Sequence, residues 1–258
     1  MECVLVTQPT PSITHVQLNR PHKLNALTVE YRSCRLCRAV GSAFRAIQAD
    51  SQCKAVVFSA AGRVFSAGLD CEQYAVNEVT ALVPAGSDPA RKGLNFSGLV
   101  REIQDCVTAI EACGKPVLAA VHGVCIGEAN SFITACDMRY FSADVKVSLK
   151  DPDLGVAADM GFLQRLERIV GNSSWAREMV YTTRFAGAQE CLQFGLCAQV
   201  CPDKVATIAA AMATAQEIAA SPTNVTGVKA NLNYSRDHSV ADSLFFAAVL
   251  QGSKSPKL

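Results

Sequence analysis

The chain has 258 residues, half of them hydrophobic, and a formal net charge of +1 with Lys and Arg scattered along its length. That is enough apolar material for one large domain, or one domain with a helical tail, and no basic run or acidic block points to nucleic acid or to a solvated tail. No apolar run approaches the ~20 residues of a membrane span, and the N-terminus lacks the basic start of a secretory signal or transit peptide, so the protein is not expected to be secreted.

Residues 2–7 and 12–18 alternate and read as two strands around a turn at Thr7–Pro11. Residues 19–27 form a polar loop. Thr28 is placed to cap a long helix reaching about Gln48, with apolar spacing at Leu36, Val40, Phe44 and Ile47. Lys54 to Ser59 is a short buried strand, and Ala61 to Asp70 a loop that bends back toward apolar packing. Residues 82–95 hold Pro84, Gly86, Pro89 and Gly93; they are the least structured stretch and a candidate rim for a substrate site. A helix over about 97–112 follows.

The rest is organised around Lys115 to Gly161. Val117 to Val121 is a buried strand closed by a glycine turn, and a helix opens near Gly127 and runs to Asp137. A strand feeding a helix start leaves backbone N–H groups aimed at one point, with the helix dipole behind them. Such a point suits an anion, or an oxygen that becomes one during reaction. Residues 138–149 read as two short strands. Asp151 and Asp159 then stand among small and apolar residues, and acids beside an anion site suit proton transfer next to a carbonyl. Plainer readings exist: Asp159 as the N-cap of a helix over 160–170, Asp151 as a turn residue before Pro152. Helices near 172–181 and 187–193, a strand near 197–201 and a helical tail over 203–250, broken near Pro222, complete the chain. Strands alternating with helices, then helices alone, give an α/β core over 1–200 with a helical extension over 201–258.

Twelve cysteines at irregular positions, many inside apolar runs, read as buried thiols. Cys34 and Cys37 have the spacing of a redox or zinc pair but lack a second pair, so their role is structural. The four histidines form no cluster, and no metal is expected. His122, ending an apolar strand, reads as structural.

Four stretches in order resemble the enoyl-CoA hydratase/isomerase (crotonase) superfamily: Asn19-Arg20-Pro21 through Asn25-Ala26-Leu27, Phe65 to Asp70, Lys115-Pro116 through Ile126-Gly127, and Ala135 to Arg139. The run Asp153 to Leu166, with Ile169 to Asn172 and Asn233 to Val240, is most similar to the Δ3,5-Δ2,4-dienoyl-CoA isomerase branch. The resemblance implies a spiral of ββα units whose helical tail mediates homotrimers or hexamers. It implies an acyl-CoA thioester as substrate in fatty acid β-oxidation, with coenzyme A present only as part of it. It implies an oxyanion hole from the main-chain N–H groups of Leu69 and Glu128, where Glu128 replaces a family glycine and its side chain is not needed. It implies Asp151 at C2 and Asp159 at C6 of a dienoyl chain, and substrate contacts at Lys23, Ala26, Ala67, Gly68, Asp70, Ala129 and Ser131. The chain departs from the branch at three places: Asp for Glu at 151, Ser131 where an acid is expected, and a tail ending early at Leu258. Loss of the acid at 131 argues against efficient hydration. The alternatives are a Δ3-Δ2-enoyl-CoA isomerase or weak hydratase, and a non-catalytic acyl-CoA binder. The terminal Pro256-Lys257-Leu258 is a degenerate form of a peroxisomal address, with the cytosol as the other expectation.

Overall fold

A computed structural model describes residues 2–30, 33–70, 88–221 and 225–252 of the chain. The N-terminal hairpin forms as β1 (Val4–Thr10) and β2 (Ile13–Leu18), antiparallel, with an irregularity between Thr7 and Thr10. The strand therefore runs through Pro9 to Thr10, further than the turn expected at Thr7–Pro11. An edge strand tolerates a proline because its outer N–H needs no partner.

Thr28 does not cap a helix. Val29–Glu30 (β3) pairs antiparallel with Ser33–Cys34 (β4), and α1 begins only at Arg35, running to Ala49. The cap is Cys34, whose Sγ accepts from the Cys37 N–H at 3.4 Å. The apolar period that suggested the helix holds only from Leu36 onward; the β-branched residues before it favour extended backbone. The Cys-x-x-Cys spacing thus serves a helix N-terminus.

After β5 (Ala55–Ala60), α2 spans Pro89–Ala112 and so begins well before the expected residue 97. Asp88 caps it through the Arg91 N–H at 3.0 Å, and Pro89 occupies the first turn. A proline read as a breaker is here a helix starter, because the first-turn N–H has no intrahelical partner anyway. The rest of the rim expected at 82–95, residues 82–87, lies outside the described residues, as do the C-terminal tripeptide and Pro222.

Two ββα units follow. In the first, β6 (Val117–Val121) and β7 (Val124–Ile126) lead into α3 (Ala129–Thr134). In the second, β8 (Met138–Ser142) and β9 (Lys146–Ser148) lead through a single 3-10 turn at Pro152–Leu154 to α4 (Phe162–Ile169). Then come α5 (Ser173–Thr182), β10 (Ala186–Gly187), α6 (Ala188–Gln193), β11 (Gln199–Cys201), and the helices α7 (Lys204–Ala220), α8 (Val225–Ser235) and α9 (Val240–Gly252). This is the expected α/β spiral of ββα units with a C-terminal helical extension.

The main sheet has the order β1-β2-β5-β6-β8-β11, parallel from β2 onward; β10, β9 and β7 form a second, small sheet. The central strands are buried on both faces and divide their side chains by the two-residue period. Val56, Phe58, Val117, Ala119 and Val121 face the large core under α1, α2 and α3. Ala55, Val57, Leu118 and Ala120 face the opposite way, against Ala211, Ala215 and Ala219 of α7. Phe58 is the hub of the large core. Its ring lies edge-on to Phe44 of α1 at 5.6 Å, to Phe65 at 5.7 Å and to Phe132 of α3 at 6.2 Å. One aromatic thus fixes both the loop 61–70 and the helix that starts after Glu128.

Candidate active site

Three loops meet at the C-terminal end of β7. The first, residues 20–28, is shaped by Asn25, which is fully buried and left-handed at φ 52°. Its Oδ1 accepts from the Arg20 N–H at 2.8 Å, and its Nδ2 donates to the carbonyls of Ala61 and Val64 at 2.9 and 3.2 Å. The second, residues 61–70, runs alongside: Ser66 Oγ donates to Asn25 O at 2.8 Å, Ala67 N–H to Leu24 O at 3.0 Å and Leu27 N–H to Gly68 O at 2.8 Å. The third is the turn after β7. Ile126 N–H donates to Ser66 O at 3.1 Å, and Gly127 N–H to Ser148 O at 2.9 Å.

Gly68 is where the second and third loops touch. It has φ 82°, and a Cβ there would lie 2.6 Å from Ile126 O, so no other residue fits. This contact joins the loop that carries Leu69 to the turn that leads into Glu128, the two residues whose main-chain N–H groups the resemblance pairs. Among the described residues no main-chain carbonyl accepts from the Glu128 N–H, at the N-terminal boundary of α3. Of the other expected contact residues, Lys23 is exposed, Ala67 and Asp70 are half-buried, and Ala26 and Gly68 are buried along these loops. Ala129 and Ser131 are fully buried inside α3.

The two aspartates come together, and a third carboxyl joins them. Asp151 ends the segment after β9 and is 6% exposed; its carbonyl accepts from Leu154 and Val156 N–H groups at 3.0 Å each. Its Oδ2 is buried without a hydrogen-bond partner among the described residues, and lies 3.4 Å from where a Cβ on Gly127 would sit. The carboxyl also has hydrogen bonds that favour its charged form, from its own backbone and with Glu128. Asp159 does not cap α4: the cap is Gly161, at φ 108°, with no side-chain cap bond. Asp159 is instead held by its main chain, with Gln104 Nε2 donating to its carbonyl at 2.6 Å and its N–H donating to Glu128 Oε1 at 3.0 Å. It lines a cavity of about 370 Å³ with Gln104, Thr108, Gln164 and Arg165.

The Glu128 carboxyl is the group that reading the sequence missed. The expectation gave its side chain no part, yet it is 4% exposed and turned inward. Ser131 Oγ donates to Oε2 at 3.0 Å, while Oε1 takes the Asp159 N–H. The signal was present: positions 128 and 131 lie one helical turn apart on the same face, so an acid absent from 131 has a near substitute at 128.

Burial pushes all three carboxyls up. For Glu128 the value rises to about 8, first through burial and then through the negative charge of Asp151, against hydrogen bonds from Ser131 and the Asp159 N–H. Asp151 is raised by burial, with the charge of Asp159 adding to it, and Asp159 by burial. At neutral pH the cluster holds at least one proton, which is what an acid–base site needs.

His122 is buried and donates from Nε2 to Gly62 O at 3.0 Å, a structural tie to the 61–70 loop. The described cysteines are free, and no group of His, Cys, Asp and Glu among the described residues has the arrangement of a metal site.

Comparison with known proteins gives the family and the fold. A profile of the enoyl-CoA hydratase/isomerase family matches residues 9–253. The mitochondrial Δ3,5-Δ2,4-dienoyl-CoA isomerase of Homo sapiens is 43% identical over 248 residues, 96% of this chain and 73% of that protein. The peroxisomal enzyme of the same name from Arabidopsis thaliana is 35% identical, over 92% of this chain and 83% of that protein. A crystal structure of an enoyl-CoA hydratase from Bacillus anthracis superposes with a TM-score of 0.82 at 24% identity, covering 97% of this chain and 90% of that one, a likeness of fold.

Proposed function

The chain belongs to the enoyl-CoA hydratase/isomerase family, and on that footing we propose that it is a dienoyl-CoA isomerase, converting a 3,5-dienoyl-CoA to the 2,4-dienoyl-CoA. The observation that supports the reading is that Glu128, at the turn after β7, adjoins both aspartates: its carboxyl accepts from the Asp159 N–H at 3.0 Å and is raised by burial and then by the charge of the buried Asp151.

The thioester oxygen sits between the N–H groups of Leu69 and Glu128. Asp151 removes a proton from C2; the charge spreads through the conjugated chain and onto the oxygen, and Asp159 delivers a proton to C6. The double bonds move from 3,5 to 2,4 with no change in atoms. Each fixed N–H donor contributes about 3 kcal/mol to the enolate-like transition state. Coenzyme A comes with the substrate, its phosphates reaching the exposed Lys23. The test is spectroscopic: a 3,5-dienoyl-CoA should gain the absorbance of a conjugated 2,4-diene in the presence of the protein. A substrate that is bound and left unconverted would favour a non-catalytic acyl-CoA binder.

A hydratase reading regains one observation. Glu128 beside Asp151 provides the second acid that Ser131 does not, so crotonyl-CoA belongs in the same assay. Hydration outrunning diene formation would reverse the order of the two readings.

The helical extension supports self-association. Leu232 on α8 and Leu244 and Phe245 on α9 are 68%, 67% and 74% exposed, large apolar side chains that an interface would cover. The expected mass by light scattering is that of a trimer or hexamer; a monomer at micromolar concentration would remove this part of the proposal.

A further inference from the structure

The isomerisation proposed above leaves a problem, and the inference drawn here rests on that reading. Each turnover puts the C2 proton on Asp151 and takes a proton from Asp159. The pair must be reset before the next substrate, by moving one proton from Asp151 to Asp159.

Glu128 adjoins both aspartates: its carboxyl is hydrogen-bonded to the Asp159 main chain and, against the burial that raises Asp151, lowers it by a side-chain hydrogen bond. It belongs to a different element from either aspartate, at the start of α3, and is almost fully buried. One carboxyl oxygen is 3.0 Å from the main-chain nitrogen of Asp159, and the other is clamped by the Ser131 hydroxyl at 3.0 Å. Asp151 is the charged group that most strongly affects it. A further titratable neighbour is the Cys37 thiol of α1, which is pushed up mainly by its hydrogen bond with Cys34 and by burial, and in part by the charge of Glu128. Ser131 occupies the position where the resemblance expects an acid; here its hydroxyl holds an acid set one turn earlier.

We propose that Glu128 is the relay that resets the two aspartates: its carboxylic acid gives its proton to the Asp159 carboxylate and takes up the proton carried by Asp151. Only O–H bonds break and form, and no proton is gained or lost over the cycle. Burial raises Glu128 to about 8, so at neutral pH it is a neutral carboxylic acid with a proton to give.

Glu128→Gln keeps the size, leaves an oxygen to accept from the Asp159 N–H and an amide to donate to Ser131 Oγ, and removes the exchangeable acid. The expected result is a burst of about one diene per site, followed by a steady rate at least ten-fold below wild type. Wild-type turnover should fall as pH rises through about 8, and that limb should be missing from the variant. A readout independent of turnover is the Asp159 amide resonance, whose N–H donates to Glu128: it should titrate near pH 8 in wild type and stay flat in the variant. Linear progress at the wild-type rate with an unchanged pH profile would overturn the relay while leaving the isomerase reading intact. So would an equal loss of burst and steady rate with unchanged affinity for an acyl-CoA, which would place Glu128 in the chemical step itself. An Asp159 amide insensitive to pH around 8 in wild type would also overturn it. A wild-type protein that makes no diene would bring down the isomerase reading, and the relay with it.

Discussion

Asp159→Asn should reduce conversion of a 3,5-dienoyl-CoA by about 10²–10⁴-fold, the usual contribution of one positioned acid or base. The amide can neither deliver nor regain a proton at C6. The fold should be unaffected, because the Asp159 side chain caps no helix and its structural contacts are made by the main chain: the N–H to Glu128 and the carbonyl from Gln104. Asp151 and the N–H pair remain, so the variant should still exchange the C2 hydrogen of the substrate with deuterated solvent. That separates loss of the C6 acid from general damage. Turnover within ten-fold of wild type would remove Asp159 from the reaction; loss of C2 exchange together with turnover would show that the substitution disturbs binding as well.

Arg139→Met should cost about 3–5 kcal/mol of stability, since it strips a charged donor from three buried carbonyls. Arg139, on β8, is 8% exposed. Its Nε donates to Leu196 O at 2.7 Å, and its Nη1 to Cys136 O at 2.7 Å and Ile133 O at 3.2 Å. One of those carbonyls, of Ile133, is in the last turn of α3, the helix that begins after Glu128; that of Cys136 lies just past its end, and the third leads into β11. A single guanidinium therefore ties the end of the catalytic helix to the last strand of the sheet. Methionine fills much of the volume and satisfies none of the acceptors. Urea unfolding should show a lower midpoint with an unchanged slope. A loss below about 1 kcal/mol would mean that water replaces the guanidinium, and that the site does not depend on this tie.

The sequence makes the central machinery readable because it is written in short range. Val117 to Val121 is an unbroken apolar strand, the glycines after it mark the turns, and Asp151 and Asp159 stand out as acids among small residues. The misplaced boundaries share one cause: residues with two uses. Pro89 breaks a helix or starts one; Asp88 decides for the second by capping α2. Thr28 caps helices but here precedes a β hairpin, because the residues after it are better paired as strands. Asp159 looks like an N-cap, and only the fold shows Gly161 in that place. Glu128 illustrates a different limit. The resemblance assigns a role to its main chain alone, whereas its side chain joins the two aspartates. The pairing with Ser131 is local and could have been read from the one-turn spacing; the approach of Asp159, 31 residues further along the chain, could not. What brings them together is the packing of α3 against α4 over the shared core.

The main sheet carries a further consequence. Its spatial order, β1-β2-β5-β6-β8-β11, is also its order in the chain. A nascent polypeptide can therefore build this sheet by accretion at one edge, each strand docking on its predecessor, and no late arrival has to wedge between two already paired. The face lined by Ile13, Ala55, Val57, Leu118 and Ala120 stays bare until the alanine stripe of α7 emerges from the ribosome to cover it. The interval between synthesis of β8 and of α7 is thus the period when this protein is most exposed to sticking to its neighbours.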